Sequence, residues 1–294
     1  MTAVRGPDAP AATPRFVPNA FTVDLEEWFH VCGVEALGPA QWDRLPARIT
    51  PTTMWLLDLL DRRQVRATFF VVGWIADRYP QLVGAIARAG HEVGSHGYWH
   101  RRVYELERQT FADDVTAGCN ALAAAGVSGV QAFRAPEWSI NDRSMWALDE
   151  LVRLGFRMDA SMAPLKMVGS VTFPRHPHVR PTAHGAILEM PPLVTDRFGQ
   201  SMPLGWGWGL RMSSPRRLLR AIGRLNEAGQ PAVLTIHPWE LDDNPPRVAL
   251  PLGLRFAHYF RLNGFRDRLE QILQGARFGP LSTLMPAGTA PPTG

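Results

Sequence analysis

Two histidines four positions apart, His96 and His100 in the stretch EVGSHGYWH, have a spacing that suits metal chemistry. If the segment forms one helical turn, both imidazoles lie on one face and can share an ion. Alone the pair is weak, because most such pairs are structural or occur by chance. Asp24 and Glu26 in AFTVDLE strengthen it, since in a strand they share a face. Two neutral nitrogens and one anionic oxygen form a common site for a catalytic divalent metal.

The elements that must position these residues follow a regular pattern. From residue 19 to residue 240, short apolar runs that resemble strands alternate with helical patterns of ten to fifteen residues. This alternation is typical of βαβ units and predicts a parallel sheet that is closed, or nearly closed, as a barrel. Active sites of such barrels lie at the carboxyl ends of the strands. Further polar residues at predicted strand ends are Arg134, Asp159 and His237.

Composition divides the chain into four segments. Residues 1–18, rich in Pro and Ala, are predicted to be a disordered tail. Residues 19–240 carry the alternating pattern and form the predicted catalytic barrel. Residues 241–282 begin with a proline-rich connection and continue as one long predicted helix, RFAHYFRLNGFRDRLEQILQG, which we expect to pack on the barrel. Residues 283–294 are predicted to be a second loose tail.

The overall balance of residues is that of a soluble globular protein. The 294 residues are 46% hydrophobic and 20% charged, with a formal net charge of +4. The densest basic segment, residues 213–224, fits an amphipathic helix with a solvated arginine face, so no nucleic-acid partner is expected. No secretory signal and no apolar stretch of about 18 residues is visible. We therefore predict a cytoplasmic location without an integral membrane segment; the sequence leaves the oligomeric state open.

Five short motifs, taken in order, resemble the polysaccharide deacetylases of the NodB-homology type, also called carbohydrate esterase family 4. The family's Thr-Phe-Asp-Asp motif has its counterpart in TVDLEE, and its two-histidine motif in HGYWH. The remaining three counterparts are RAPEW, DAS and TIHPWE. The final stretch resembles an extension found on a subgroup associated with exopolysaccharide export loci. The resemblance covers most of the chain and implies a deformed parallel (β/α)7-type barrel, the NodB-homology fold, with a C-terminal helical extension.

The resemblance also implies a metal site. Asp24 matches the family's catalytic base, and His96 and His100 match its histidine ligands. The carboxylate ligand is displaced in TVDLEE and becomes Glu26 or Glu27; strand alternation favours Glu26. Zinc is the expected ion, although cobalt or another divalent metal fits the same ligands.

The resemblance further assigns roles around the metal. Arg134 would pair with Asp24, and the backbone N–H near Glu137 would donate to the oxyanion. His237 would protonate the leaving amine as general acid, with Asp159 holding its ring. Four tryptophans near these groups are predicted as walls of a substrate pocket. They are Trp28, Trp99, Trp138 and Trp239.

The predicted function is therefore metal-dependent hydrolysis of an N-acetyl group on an amino sugar, in a glycan, a glycan precursor or a glycosylated metabolite. The attacking water would be activated by the metal, with Asp24 as base and His237 as acid. Two alternatives stay open: a related amidase acting on a non-carbohydrate amide, and a catalytically silent glycan-binding module. The presence of all the predicted metal and acid-base residues argues against the silent module.

Overall fold

A computed structural model of the protein describes residues 17–197 and 199–285. The predicted tail 1–18 lies almost wholly outside these residues, as does most of the predicted tail 283–294. The strands are β1 (Asn19–Leu25), β2 (Thr68–Val71), β3 (Glu92–Ser95), β4 (Ala132–Phe133), β5 (Met158–Asp159), β6 (His178–Thr182), β7 (Gly185–Glu189), β8 (Val194–Arg197), β9 (Gln200–Pro203), β10 (Val233–Ile236) and β11 (Phe278–Gly279). The helices are α1 (Ile49–Arg62), α2 (Gly73–Arg78), α3 (Pro80–Arg88), α4 (Arg108–Ala124), α5 (Trp146–Arg153), α6 (Gly207–Met212), α7 (Pro215–Glu227), α8 (Leu252–Tyr259) and α9 (Phe265–Gly275).

Seven parallel strands form the core of the main sheet. Its order is β10-β1-β2-β3-β4-β5-β7-β6, with only β6 antiparallel to its neighbour, and β11 pairs with the start of β1. The ladder does not continue from β7 to β10. Single hydrogen bonds bridge that gap, from Leu193 N to Val233 O at 3.0 Å and from Thr235 N to Gly205 O at 2.7 Å. The expected deformed parallel barrel is thus confirmed, with its opening on this side.

The first strand explains why the site lies inside the barrel. All seven residues of β1 are buried, as is usual for a parallel strand covered on both faces. Phe21, Val23 and Leu25 pack into the large core cluster shared with the outer helices. The alternate residues Thr22 and Asp24 point to the opposite face. The polar positions of the alternating pattern therefore face the barrel interior and not solvent.

The C-terminal extension is helical, but the prediction of one continuous helix is wrong. α8 ends at Tyr259 and α9 begins at Phe265. Between them Arg261 and Gly264 adopt left-handed φ values of 56° and 71°, which a helix cannot contain. After α9 the extension returns to the barrel, where Leu281 N donates to Thr68 Oγ1 at 2.8 Å. Within the described residues, no helix combines the length and the apolar character needed to cross a membrane.

Candidate metal centre and active site

Glu26, His96 and His100 meet at the carboxyl ends of β1 and β3. Glu26 Oε1 lies 2.9 Å from Nε2 of His96 and 2.9 Å from Nε2 of His100. All three side chains are buried. The structure therefore brings the three predicted ligands together around one point.

The donor atoms suit a divalent metal. His96 Nδ1 lies 2.7 Å from the backbone oxygen of Arg134, which can only accept, so the ring carries its proton on Nδ1. This leaves the Nε2 lone pair for an ion, the arrangement usual for a metal-binding histidine. Two imidazoles and one carboxylate fit zinc and related ions.

Glu27 has a different role. Its carboxylate accepts hydrogen bonds from Arg48 N at 2.8 Å and Ile49 N at 2.9 Å, and so satisfies free N–H groups at the start of α1. Burial raises the pKa of Glu27 to about 7, against the opposing effect of these backbone donors. Geometry thus brings Glu26, and not Glu27, to the histidines.

The loop that carries His96 and His100 does not form the helical turn considered from the sequence. Residues 96–102 form no helical turn, and His100 has a left-handed φ of 50°. Gly97 also has a positive φ, and a Cβ there would lie 2.6 Å from Asp114 Oδ2. Asp114, on α4, accepts from Tyr98 N at 2.8 Å and from Trp99 N at 3.2 Å. Gly97 therefore allows a buried carboxylate of α4 to hold the loop. Sequence reasoning missed Asp114, although an acid between the apolar Phe111 and Val115 was a usable signal.

Arg134 is fully buried beside Asp24. Its Nη1 donates to Asp24 Oδ1 at 2.7 Å and to Thr22 Oγ1 at 2.8 Å, while Nε donates to Ala160 O at 3.1 Å. The expected pairing of Arg134 with Asp24 is present. These bonds fix the orientation of the Asp24 carboxylate toward the site.

His237 completes the site from the end of β10. Its Nε2 lies 3.8 Å from Asp24 Oδ2 and 3.9 Å from Glu26 Oε1. Its Nδ1 donates to Glu240 Oε2 at 3.1 Å, and Glu240 Oε1 accepts from Arg211 Nε at 2.8 Å. Burial opposes the charged imidazole, but Glu26, Glu240 and Asp24 outweigh it and raise the pKa of His237 to about 9.

The predicted contact between Asp159 and His237 is wrong, because the ring is held by Glu240. Asp159 accepts instead from Ser161 Oγ at 2.5 Å and from Ser161 N at 3.3 Å. Its partner across the neighbouring strand is the buried Glu189 of β7. Burial raises the pKa of Glu189 well above its ordinary value, and the neighbouring charge of Asp159 raises it further. Glu240 was missed although it lies only three residues after His237.

This carboxyl pair predicts a pH effect on stability. A raised pKa in the folded state means that the contribution of Glu189 is complete below its ordinary pKa of 4.5 and is lost as pH rises through the folded value. Wild type should therefore lose stability relative to Glu189→Gln as pH rises above 4.5. The change should reach at most about 1.4 kcal/mol for each pH unit. Urea unfolding across pH measures it, and a pH-independent difference would contradict it.

The four tryptophans divide between core and site. Trp28 is buried, with Nε1 donating to Pro46 O at 2.9 Å, so its prediction as a substrate wall is wrong. Trp138 stacks on Trp206 with ring centroids 4.5 Å apart. Trp239 stacks on His237 at 5.4 Å, next to the site.

Trp99 lines a cavity of about 560 Å³, a volume within the range of ligand pockets. His100 also lines this cavity, which therefore reaches the candidate metal centre. Another lining residue, Arg102, donates to Glu137 Oε2 at 2.6 Å. Glu137 also accepts from Cys32 N at 3.3 Å and has a left-handed φ of 54°. The oxyanion role of the backbone near Glu137 stays a prediction.

Two family models match the chain. The model named polysaccharide deacetylase covers residues 41–158. A domain of unknown function, DUF3473, covers residues 160–286. The second match includes the barrel strand β10 as well as the C-terminal extension.

Several known proteins are similar to parts of the chain. A peptidoglycan-N-acetylglucosamine deacetylase of Bacillus cereus is 33% identical over 20% of this chain and 22% of its own length. A chitooligosaccharide deacetylase of a Bradyrhizobium species is 33% identical over 24% of this chain and 32% of its own. The chain thus spans less than half the length of these relatives. A Mycobacterium smegmatis crystal structure described as a polysaccharide deacetylase is 24% identical, covers 95% of this chain and 93% of its own, and has a TM-score of 0.62, which indicates the same fold.

Proposed function

We propose that the protein is a metal-dependent hydrolase that removes N-acetyl groups from an amino sugar. The proposal starts from its place in the polysaccharide deacetylase family and its DUF3473 region. One observation carries the proposal. Glu26 Oε1 lies 2.9 Å from both histidine Nε2 atoms, 3.9 Å from His237 Nε2, and next to the buried Asp24. A candidate metal site, base and acid therefore lie within a few ångströms of one another at the carboxyl ends of the strands.

Glu26, His96 and His100 would hold the ion. When bound, a divalent metal at such a site lowers the pKa of water and polarises a carbonyl oxygen. Asp24 accepts the proton of the attacking water, and its pairing with Arg134 fixes its orientation. His237 donates a proton from Nε2 to the departing amine while Glu240 holds its Nδ1–H. The two acid-base groups lie on different strands, β1 and the end of β10, so they can act on different atoms of one amide.

The substrate class rests on the pocket and on the relatives. Trp99 lines the cavity beside His100, Trp239 stacks on His237, and the Trp138 ring lies 5.6 Å from the Arg134 guanidinium. Aromatic rings near a site suit the apolar face of a sugar ring. The relatives named above are described as acting on peptidoglycan N-acetylglucosamine and on chitooligosaccharides. We propose an N-acetylated amino sugar within a glycan or glycan precursor.

Acetate release is the direct test. The metal-loaded protein should release acetate from N-acetylglucosamine oligomers of graded length, and chelation followed by dialysis should abolish the release. Zinc and cobalt are compared as the restoring ions. Glycan binding without turnover in the metal-loaded protein would overturn the proposal, as would turnover that survives removal of all metal.

Glu240 should raise the pKa of His237, whereas Asp159 should not affect it. Removing the Glu240 charge disfavours protonated His237, so its pKa should fall in Glu240→Gln and the alkaline limb of activity should move to lower pH. We expect kcat to fall about tenfold or more. Nuclear magnetic resonance of the His237 ring measures the pKa, with Asp159→Asn as the matched control.

A second variant guards against misfolding. Glu240→Gln leaves the buried Arg211 without its carboxylate partner, which costs about 3–5 kcal/mol of stability. Arg211→Met combined with Glu240→Gln removes both charges. It should recover only part of that stability, because the bonds from Arg211 to Phe260 O and Ala257 O are lost as well, and it should not restore the pKa of His237. An unchanged pKa in both variants would rule out the assigned role.

A further inference from the structure

α8 exposes a row of large apolar side chains. Leu252 and Phe256, four residues apart and so on one side of the helix, are 75% and 48% exposed. Phe260 follows directly after the helix, is 37% exposed, and stacks on Phe256 with ring centroids 4.4 Å apart. Single exposed apolar residues are ordinary, but adjacent groups of this size mark an interaction surface.

The charged side chains next to this apolar row in the sequence are all positive. Residues 252–266 contain three arginines and no Asp or Glu. Arg255 and Arg261 are exposed, and neither forms an ion pair with a carboxylate of the described residues. The next acid along the chain is Asp267, in the first turn of α9.

The neighbouring helices α6 and α7 also carry exposed apolar or basic side chains. Arg211 donates to the backbone oxygens of Phe260 and Ala257, which fixes the end of α6 against α8. Met212, 36% exposed, lies at that junction. The stretch 213–226 that follows contains four exposed arginines and no acid.

We propose that this apolar and basic surface docks onto the surface of an anionic lipid bilayer. The apolar tips enter the boundary between headgroups and acyl chains, and the arginines lie among the lipid phosphates. Arginines that flank exposed apolar side chains along α8 and α7 are complementary to a negative, deformable surface. The residues that form this surface are Met212, Leu252, Arg255, Phe256, Phe260 and Arg261.

One helix, α8, separates this surface from the candidate active site. His258 of α8 stacks on Trp239 at 4.2 Å, and Trp239 stacks on His237 at 5.4 Å. Docking would therefore hold the pocket close to molecules anchored in the bilayer. The lipid-binding claim itself goes beyond the proposed hydrolysis and stands independently of it.

Vesicle sedimentation tests the proposal on the whole protein. Wild type should sediment with vesicles of phosphatidylcholine mixed with phosphatidylglycerol, and not with phosphatidylcholine alone. Raising the salt concentration should weaken the binding, because exposed charges are screened. Phe256→Ser combined with Phe260→Ser should lower the partition coefficient about tenfold or more, and Arg255→Gln combined with Arg261→Gln should also lower it.

Controls separate lipid binding from misfolding and from self-association. Met54→Ser removes an apolar side chain that is likewise 48% exposed, on α1, and should leave the partition coefficient unchanged. Thermal unfolding checks that each variant is folded. The proposal is overturned if anionic vesicles do not bind wild type, or if the phenylalanine variant binds them equally well. Self-association of wild type that is lost in that variant, without lipid binding, would instead identify a protein interface.

Discussion

Asp24→Asn is expected to lower kcat for acetate release by about 10²–10⁴-fold, the usual contribution of a positioned general base. The amide keeps the size of the carboxylate but cannot accept a proton at neutral pH. Metal binding should persist, because Glu26, His96 and His100 are unchanged. Acetate release and zinc content, measured on the same preparation, test both expectations.

A control variant must separate the loss of the base from the disturbance of Arg134. Asp24→Asn also removes the counter-charge of a fully buried guanidinium, which by itself can destabilise the fold by about 3–5 kcal/mol. Thr22→Val removes another bond to the same Nη1 and keeps the base. It should cost about 1–3 kcal/mol of stability and reduce kcat much less than Asp24→Asn. Similar kcat losses in both variants would mean that Asp24 acts only by supporting Arg134.

Glu26→Gln should lower the affinity for zinc by more than about 100-fold. Even the loss of a residue that only orients a metal ligand costs about 10–100-fold. The amide removes the anionic oxygen that lies between the two histidine rings. Calorimetric titration of the metal-free protein with zinc measures the affinity without reference to activity.

Glu27→Gln is the matched control, one residue away and also buried. It should bind zinc within about threefold of wild type. It should lower the free energy of unfolding by about 1 kcal/mol, because Glu27 satisfies N–H groups at the start of α1. If Glu27→Gln lost zinc while Glu26→Gln kept it, the assignment of the carboxylate ligand would be reversed.

The fold was largely predictable because its signals are local. Buried strands and glycine-ended helices leave apolar patterns and stop signals in the sequence, and their regular alternation predicts a parallel barrel. The break between α8 and α9 was not predicted, because the apolar pattern continues through it and only Asn263 and Gly264 mark it. Strand alternation also favoured Glu26 over Glu27 before any geometry was known.

Contacts between side chains from distant elements were less predictable. Asp159 follows a strand, as Arg134 and His237 do, but sequence order does not reveal which carboxylate reaches a given ring. The structure places Asp159 beside Glu189 of the neighbouring strand, and His237 bonds to the nearby Glu240. Trp28 likewise lies two residues from Glu26, yet its ring turns into the core.

The sequence by itself determined the class of barrel, the strand-end positions of the polar residues, and a set of donor types that suits a divalent metal. These follow from periodicity and residue chemistry, which act over a few positions. Only the tertiary structure decided that Glu26 is the carboxylate between the histidines, that Asp114 holds their loop, and that Glu240 holds His237. Each of those contacts depends on where side chains of separate elements point once the sheet has curved and the helices have packed.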